Sequence, residues 1–371
     1  MKKTDFYSWK QGKLSEGCRY CVKGQKLVLF ITGLCSNNCF FCPISDQKKN
    51  KDVIYANEWK ITNEKDLIKE AELTKAKGAG ITGGDPLLKL NRTVKYIKLL
   101  KKNFGKKFHI HLYTSLNFVN ENRLKKLYKA GLDEIRFHPM LNKKNEWPRI
   151  LLAKKFDWDV GVEIPVIPGK KKETISLIDY FKDKIDFLNL NELEISDSNA
   201  NKLRQRGFRQ KSKLSYAVKG SQELAKQLLK YLKNTRLNVH YCTAKTKDKA
   251  QLTKRIKRRA VSVSKKFDFI TPEGTLLRGA IYLKNSFPGF DYKKRMTRIN
   301  KSKAVKELVK IKKQLNIPKN MLYLDKTRIR LLTSIAVIDN IKDKLKKLNL
   351  IPVIMEEYPT HDAMIVDIQL L

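Results

Sequence analysis

The 371 residues are 42% hydrophobic and 9% aromatic, which is enough for a folded core in two or three domains. No apolar run is long enough for a membrane span, and the N-terminus lacks the apolar core of a signal peptide, so we expect a cytoplasmic protein. The chain carries 79 Lys and Arg against 37 Asp and Glu, a net charge of +42. Such a charge attracts polyanions, unless it reflects only a compositional bias.

Apolar runs and helical patterns alternate through the first half of the chain. The predicted strands are residues 26–32, 80–82, 108–114, 134–138, 160–166 and 186–193. Helical patterns lie between them, which predicts repeated βα units and a parallel sheet. Candidate functional residues follow the C-terminal ends of several of these strands, and this is the end at which the active site of a barrel lies. We therefore predict an α/β fold built on a partial (β/α)6 TIM-type barrel.

The rest of the chain has a different pattern. We expect an N-terminal metal-binding arm over residues 1–25 and the barrel over 26–196. Residues 197–300 read as a basic, mostly helical segment with a β-hairpin over 267–282, turning at Pro272-Glu273-Gly274. Residues 301–371 predict a small α+β domain of the order helix, strand, helix, strand, strand.

Three cysteines follow the first predicted strand in the spacing C-x3-C-x2-C: Cys35, Cys39 and Cys42. Cysteines so clustered in a chain without an export signal typically hold metal. Three thiolates can bind a [4Fe-4S] cluster and leave one iron open for another ligand. Zinc fits less well, because it usually takes two separated C-x2-C pairs.

Together with the first strand and the turn TGGDP at residues 82–86, this motif resembles the radical S-adenosylmethionine (radical SAM) superfamily, over about residues 26–195. The resemblance implies that the three cysteines bind the cluster and that S-adenosylmethionine chelates its open iron. One-electron cleavage of the sulfonium would then give a 5′-deoxyadenosyl radical, which abstracts hydrogen from a substrate. The resemblance also implies an electron donor such as ferredoxin or flavodoxin.

The same resemblance suggests residues that contact the cofactor. Phe41 would lie beside the adenine, and the turn would hold the methionine amino group, largely through its backbone although Asp85 replaces the usual Glu. Glu163 or Asn191 would touch ribose or substrate, or would be buried polar groups of the barrel mouth. The candidate cofactor-binding residues are Phe41, Thr82, Gly83, Gly84, Asp85, Glu163 and Asn191.

Further stretches, such as EGCRYCVKGQKLVLFITGLC and DEIRFHP, resemble archaeal proteins related to the activating enzymes of pyruvate formate-lyase. Pro168-Gly169 matches a strand ending of those enzymes.

A second set of cysteines lies outside this motif. Cys18 and Cys21 form a C-x2-C pair, which is half of a metal site, and Cys242 is the remaining cysteine. Together with His240, these residues could bind an auxiliary [4Fe-4S] cluster or zinc. The alternatives are a redox-active disulfide and unrelated thiols.

Positive charge concentrates in residues 201–260, which hold 19 Lys and Arg against 2 Asp and Glu. The candidate nucleic-acid-binding residues are Lys254, Arg255, Lys257, Arg258 and Arg259. An earlier cluster comprises Arg204, Arg206, Arg209, Lys211 and Lys213, with Phe208, Tyr216 and Tyr241 placed to stack on bases. A solvated helix face would explain the same pattern.

The first hypothesis is therefore a radical SAM enzyme that modifies RNA, for example tRNA. The alternative is an activase or maturase that abstracts hydrogen from a protein. A third interpretation is a non-enzymatic iron–sulfur protein that binds RNA or transfers electrons, but the TGGDP turn favours an enzyme.

Overall fold

The computed structural model describes residues 1–371, apart from the side chain of Lys293. The chain divides into two compact units, Met1–Arg255 and Ile256–Leu371. The four-segment organisation predicted above is finer than this division and stays a prediction.

The first unit contains the strands of the predicted barrel and the helices that connect them. Its strands are β1 (Lys2–Lys3), β2 (Trp9–Gln11), β3 (Lys26–Phe30), β4 (Tyr55–Ala56), β5 (Trp59–Lys60), β6 (Gly78–Thr82), β7 (His109–Thr114), β8 (Glu134–Phe137), β9 (Asp159–Val166), β10 (Phe187–Glu192), β11 (Gln210–Ser212), β12 (Ser215–Val218) and β13 (Asn238–Cys242). Its helices are α1 (Glu16–Cys21), α2 (Glu64–Leu73), α3 (Leu90–Phe104), α4 (Glu121–Ala130), α5 (Lys171–Phe181), α6 (Ala200–Gln205) and α7 (Ser221–Tyr231).

One sheet forms the barrel, in the order β1-β2-β13-β10-β9-β8-β7-β6-β3-β4-β5. Within the described residues, the seven neighbours from β13 to β3 run parallel. Six of them are the predicted strands. The sequence interpretation missed β13, because this short strand interrupts a stretch expected to be mostly helical and is defined by its pairing with β10 and β2.

Alternate residues of the strands face the helices and form the main core. Leu29, Ile81 and Leu112 on the strands are fully buried with Ile97 of α3 and Leu127 of α4. Burying each such side chain stabilises the fold by roughly 1.5–3 kcal/mol. This layer explains why the apolar runs of the sequence predicted the strands.

The interior of the barrel is polar. His111, Glu134, Arg136 and Asn189 are all buried there, whereas the interior of a (β/α)8 barrel is filled mainly by branched aliphatic side chains. Helix α1 packs against this interior, and the backbone N–H of Gly17 donates a hydrogen bond to Glu134 Oε2 at 2.8 Å. The N-terminal arm is thus built into the barrel.

The second unit is a small antiparallel α+β fold. Helix α8 (Thr253–Val263) crosses the boundary between the units, and the further elements are β14 (Phe269–Ile270), β15 (Leu276–Leu283), α9 (Tyr292–Arg298), α10 (Lys301–Gln314), β16 (Leu322–Asp325), β17 (Arg330–Thr333), α11 (Ile335–Lys347), β18 (Leu350–Glu357) and β19 (Ile365–Leu370). The sheet order is β16-β17-β15-β18-β19, with β14 paired to β15 as the predicted hairpin. Strand β17 is an addition to the predicted order. Among the described residues, no helix is long and apolar enough to span a membrane.

Candidate active site

The loop that carries the three clustered cysteines leaves β3 and is closed at its base. Gly33 N–H donates to Lys51 O at 2.8 Å, and Asn50 N–H donates back to Gly33 O at 3.0 Å. Asp52, just past this closure, accepts from Thr32 Oγ1 at 2.9 Å and from both terminal nitrogens of Arg92 on α3. The base of the loop is therefore fixed to the barrel, so the thiols it presents have a defined position.

Cys35, Cys39 and Cys42 are half-buried and line a cavity of about 500 Å³. A volume of this size is typical of small-molecule sites. Burial raises the pKa of the Cys39 thiol to about 11, so a thiolate at this position needs a nearby cation. Three soft sulfur donors on one loop and the space in front of them fit an iron–sulfur cluster with an open position. Within the described residues, no three Cys, His, Asp or Glu side chains are arranged to hold a single metal ion, these cysteines included.

The glycines of the TGGDP turn lie against the cysteine loop. Gly84 N–H donates to Thr32 O at 2.7 Å, and Asp85 N–H donates to Leu34 O at 2.9 Å. A β-carbon on Gly84 would lie 2.5 Å from the Leu34 carbonyl carbon, and one on Gly83 would lie 2.5 Å from Thr32 O. Both positions therefore require glycine, because the two backbone segments pack directly on each other.

Asp85 does not line the cavity, although Thr82, Gly83 and Gly84 do. Its carboxylate is fully buried and accepts hydrogen bonds from Leu87 N–H, Thr114 Oγ1 and Ser115 Oγ. The Asp85 side chain thus fixes the turn from behind, and the predicted contact of this turn with the cofactor, made largely by its backbone, stays a prediction.

The opposite walls of the cavity carry aromatic and polar side chains. Phe41 lies with its ring centre 5.7 Å from that of His138. Glu163 accepts hydrogen bonds at 2.8 Å from Arg136, Asn189 and Asn191. Burial alone would raise the pKa of the Glu163 carboxyl, but the Arg136 charge and the two amides outweigh it and hold the pKa below its ordinary value. An ionised carboxylate therefore faces the cavity.

Arg136 is the centre of this polar cluster. Its guanidinium donates to Glu134 at 2.5 Å, to Glu163 at 2.8 Å and to the Tyr113 hydroxyl at 2.9 Å. Sequence reasoning missed Arg136 and Tyr113. A signal was present, because Glu134 and Arg136 place two charges in one predicted strand of the barrel, and buried charges are unusual unless they are paired.

Comparison with known proteins gives a relative of high similarity. The chain is 49% identical over 282 residues to a protein of Methanocaldococcus jannaschii that is provisionally named as a glycyl-radical enzyme activating enzyme, and the match covers 74% of this chain and 75% of the relative. Residues 29–139 match the Radical SAM superfamily. The chain belongs to the radical SAM superfamily.

Two other comparisons complete this result. Residues 274–369 match a domain family of unknown function. Among solved structures, methylornithine synthase is similar at 18% identity and a TM-score of 0.37, covering 55% of this chain and 67% of that one. Coproporphyrinogen III oxidase from Escherichia coli is similar at 11% identity and a TM-score of 0.36, covering 62% and 58%.

This chain is thus a radical SAM enzyme, and the family implies a [4Fe-4S] cluster and S-adenosylmethionine as cofactors. The observed cavity brings together most of the residues predicted from the sequence. It is lined by Cys35, Cys39, Cys42, Phe41, Thr82, Gly83, Gly84, Glu163 and Asn191.

The second cysteine set of this radical SAM enzyme lies in the barrel interior. The Cys18 sulfur accepts hydrogen bonds from Asn189 Nδ2 at 3.4 Å and from Arg136 Nη2 at 3.5 Å. Cys18 is also close enough to Cys21 and to Cys242 for its charge to raise the pKa of both thiols further, beyond the larger effect of burial. Cys18 therefore lies near both of the other two cysteines, and a shared metal site stays a prediction.

His240 adjoins this set through β13, where it pairs with Asn189 of β10. Its Nε2 forms a hydrogen bond with Ser8 Oγ at 3.0 Å, while its buried Nδ1 has no hydrogen-bond partner in the part of the chain that is described.

The predicted nucleic-acid residues of α8 do not form one exposed surface. Lys254 and Lys257 are exposed, and Arg258 is half-buried. Arg259 is buried, at 4% exposure, and Arg255 forms an ion pair with Glu58. Arg259 is therefore not available at the surface, because α8 is amphipathic and turns part of its basic sequence toward the protein. Nucleic-acid binding through the other residues stays a prediction.

Proposed function

We propose that this radical SAM enzyme activates a partner protein by removing a hydrogen atom from a glycine residue. When bound, the cluster and S-adenosylmethionine supply the 5′-deoxyadenosyl radical. The hydrogen atom would move from the glycine Cα to the 5′ carbon, which leaves a glycyl radical and 5′-deoxyadenosine. The observation that carries the radical chemistry is the cysteine loop interlocked with the Gly83-Gly84 backbone at one cavity wall.

The protein target is supported by the relative that is 49% identical and bears the name of an activating enzyme. This favours the alternative of the sequence analysis over RNA modification. The RNA hypothesis rested on α8 and the basic segment before it, and α8 presents fewer exposed cations than predicted.

In this proposal the residues of the cavity have separate tasks. Cys35, Cys39 and Cys42 would hold the cluster, and the backbone of Gly83 and Gly84, which lines the cavity, would receive the methionine amino group. Phe41 and His138 offer aromatic surfaces on which a planar adenine can pack. The Glu163 carboxylate and the Asn191 amide can accept or donate hydrogen bonds to the ribose hydroxyls or to the substrate.

The first experiment asks whether the radical chemistry occurs. The reconstituted protein is incubated with S-adenosylmethionine and dithionite under anaerobic conditions, and 5′-deoxyadenosine is measured by mass spectrometry. We expect the parent to form it and the triple variant Cys35→Ala, Cys39→Ala, Cys42→Ala to form none. Product from the triple variant would refute the assignment of these cysteines.

The second experiment asks what the target is. Desalted cell extract of the source organism is treated with protease or with ribonuclease, and the protease or ribonuclease is then inactivated. The treated extract is added to the radical SAM enzyme, and the increase in 5′-deoxyadenosine formation is measured. A protein target predicts that protease abolishes the stimulation and ribonuclease leaves it unchanged, with a doublet radical signal in electron paramagnetic resonance. Loss with ribonuclease alone would restore RNA as the substrate.

A further inference from the structure

A basic segment of residues 197–219 is inserted between β10 and α7. It consists of α6 and the hairpin β11–β12, and we call it the basic hairpin segment. It holds seven Lys and Arg against one acidic residue, Asp197. Its position after a barrel strand places it at the same end of the barrel as the cysteine loop.

The basic hairpin segment packs directly on the cysteine loop. The ring of Phe208 stacks on that of Phe40 at 6.1 Å and an interplanar angle of 5°. The Arg206 guanidinium lies 4.8 Å from the centre of the Phe40 ring. Asn199 Nδ2 donates to Phe41 O at 3.0 Å. Since Phe40 and Phe41 separate two of the clustered cysteines, a molecule bound to this segment would sit beside the cysteine loop.

The outer surface of the segment is cationic and uncompensated. Six of its cations are exposed, and none of them forms an ion pair within the described residues: Arg204, Arg206, Arg209, Lys211, Lys213 and Lys219. Leu214, at the turn of the hairpin, is fully exposed, and Tyr216 is 39% exposed. A charged rim with an apolar residue and an aromatic residue is typical of a surface that binds another protein.

We propose that the basic hairpin segment is the docking site of a small acidic electron-transfer protein. The reduced carrier loses one electron, and that electron, delivered through the cluster, cleaves S-adenosylmethionine to methionine and the 5′-deoxyadenosyl radical. An electron carrier needs to approach the cysteine loop from outside, whereas a substrate needs to enter the cavity. The contacts with Phe40 and Phe41 therefore favour a carrier over an RNA substrate. This inference rests on the placement of the cluster at Cys35, Cys39 and Cys42.

The test compares two reductants in the full-length protein. The variant Arg204→Glu/Arg209→Glu/Lys213→Glu reverses three exposed charges of the segment. The matched control Lys125→Glu/Lys126→Glu/Lys129→Glu makes the same charge change on exposed positions of α4. The initial rate of 5′-deoxyadenosine formation is measured with dithionite and with a reduced acidic ferredoxin at low ionic strength.

Electrostatic steering raises association rates by about 10–1,000-fold, so we expect the ferredoxin-driven rate of the hairpin variant to fall about tenfold or more. Its dithionite-driven rate and both rates of the control should match the parent. Added salt should lower the ferredoxin-driven rate of the parent, so that the rates of the parent and the hairpin variant become more similar.

Three results would overturn the proposal. The first is an unchanged ferredoxin-driven rate in the hairpin variant. The second is an equal fall with dithionite, which would show that the segment acts by supporting the cysteine loop. The third is loss of tRNA binding by the variant while its ferredoxin-driven rate is retained, which would assign the surface to RNA. If the protein does not form a glycyl radical on a partner, the dithionite-driven rate stays unchanged in all variants. That result is therefore distinguishable from failure of the docking proposal.

Discussion

Gly84 is tightly packed at the site, and its backbone touches the cysteine loop. The resemblance implied that the backbone of this turn contacts a ligand, and the structure adds close packing on Leu34 as a reason for glycine at position 84. The two roles coincide, because the same loop carries the thiols.

Gly84→Ala should therefore displace the cysteine loop. Overpacking of this kind lowers the free energy of unfolding by about 1–3 kcal/mol. The formation of 5′-deoxyadenosine should be lost because the thiols move. The matched control is Gly105→Ala, where φ is +82° but nothing lies within 4 Å of the added β-carbon. The free energy of unfolding of the control should fall by about 1–3 kcal/mol through backbone strain alone, and its activity should be kept. Full activity in Gly84→Ala would contradict the packing argument.

Asp52 gives a prediction about pH. The hydrogen bond from Arg92 holds the pKa of the Asp52 carboxyl well below its usual range, against a smaller opposing effect of burial. A folded-state pKa below the unfolded value of about 3.9 contributes stability that is present above that pH and is lost as the pH falls toward the folded-state pKa.

Asp52→Asn should accordingly lower the free energy of unfolding by about 1 kcal/mol at neutral pH. The difference from the parent should shrink below about pH 4, where the Asp52 carboxylate of the unfolded parent binds a proton while that of the folded parent is still ionised. Urea unfolding at neutral pH and below pH 4 measures the difference in the free energy of unfolding. Asp46→Asn, at an exposed position, is the control. A deficit that is the same at both pH values would mean that ionisation is not its cause.

At the scale of elements, α1 closes the polar interior of the barrel. Ser15 caps this helix by accepting from Cys18 N–H, and Gly17 faces the buried cluster. A β-carbon on Gly17 would lie 2.5 Å from Arg136 Nη2 and 2.6 Å from His111 Nδ1. The absence of a side chain at this position is what lets the helix lie against the cluster.

Gly17→Val should push α1 away from the barrel and expose Cys18. Overpacking of this kind lowers the free energy of unfolding by about 1–3 kcal/mol, and the higher helix propensity of Val offsets a small part of that loss. Alkylation of the Cys18 peptide, followed by mass spectrometry, should become faster than in the parent. Glu16→Gln, which removes only the surface ion pair with Arg19, is the control and should leave the labelling rate unchanged. Equal labelling rates in both variants would show that α1 does not close the interior.

At the scale of the whole molecule, the second cysteine set joins an N-terminal helix to β13, more than 200 positions along the chain. Cys18, Cys21, Cys242 and the unpartnered His240 Nδ1 are the residue types that bind zinc or an iron–sulfur cluster, although within the described residues no three of them are arranged to hold a single metal ion. The second metal site stays a prediction, and metal content tests it.

We expect metal in excess of one [4Fe-4S] cluster per chain in the protein reconstituted with iron, sulfide and zinc. The variant Cys18→Ser/Cys21→Ser/Cys242→Ser should lose that excess and keep the dithionite-dependent cleavage of S-adenosylmethionine. The Cys35, Cys39, Cys42 triple variant should keep that excess metal and lose the cleavage of S-adenosylmethionine. Elemental analysis of the three proteins decides the question, and identical metal content in the parent and the Cys18 variant would remove the second site.

The charge distribution also belongs to this scale. The sequence located the excess charge in residues 201–260 but not the part of it that faces solvent. Arg259 is buried and Arg255 is paired, whereas Arg204 and Arg209 remain exposed. Exposure depends on which face of a helix packs, and this is settled by tertiary contacts rather than by local composition.

The sequence by itself determined six barrel strands, the cysteine loop and the glycine turn, because hydrophobic periodicity and short motifs are local properties of the chain. Only the tertiary structure decided the seventh strand, the central position of Arg136 and the buried place of the Asp85 carboxylate. Each of these depends on partners distant in sequence. Strand β13 needs β10, Arg136 needs Glu163 and α1, and Asp85 needs Thr114. A buried polar group is stable only when such partners are supplied, so its role becomes visible only once the chain has folded.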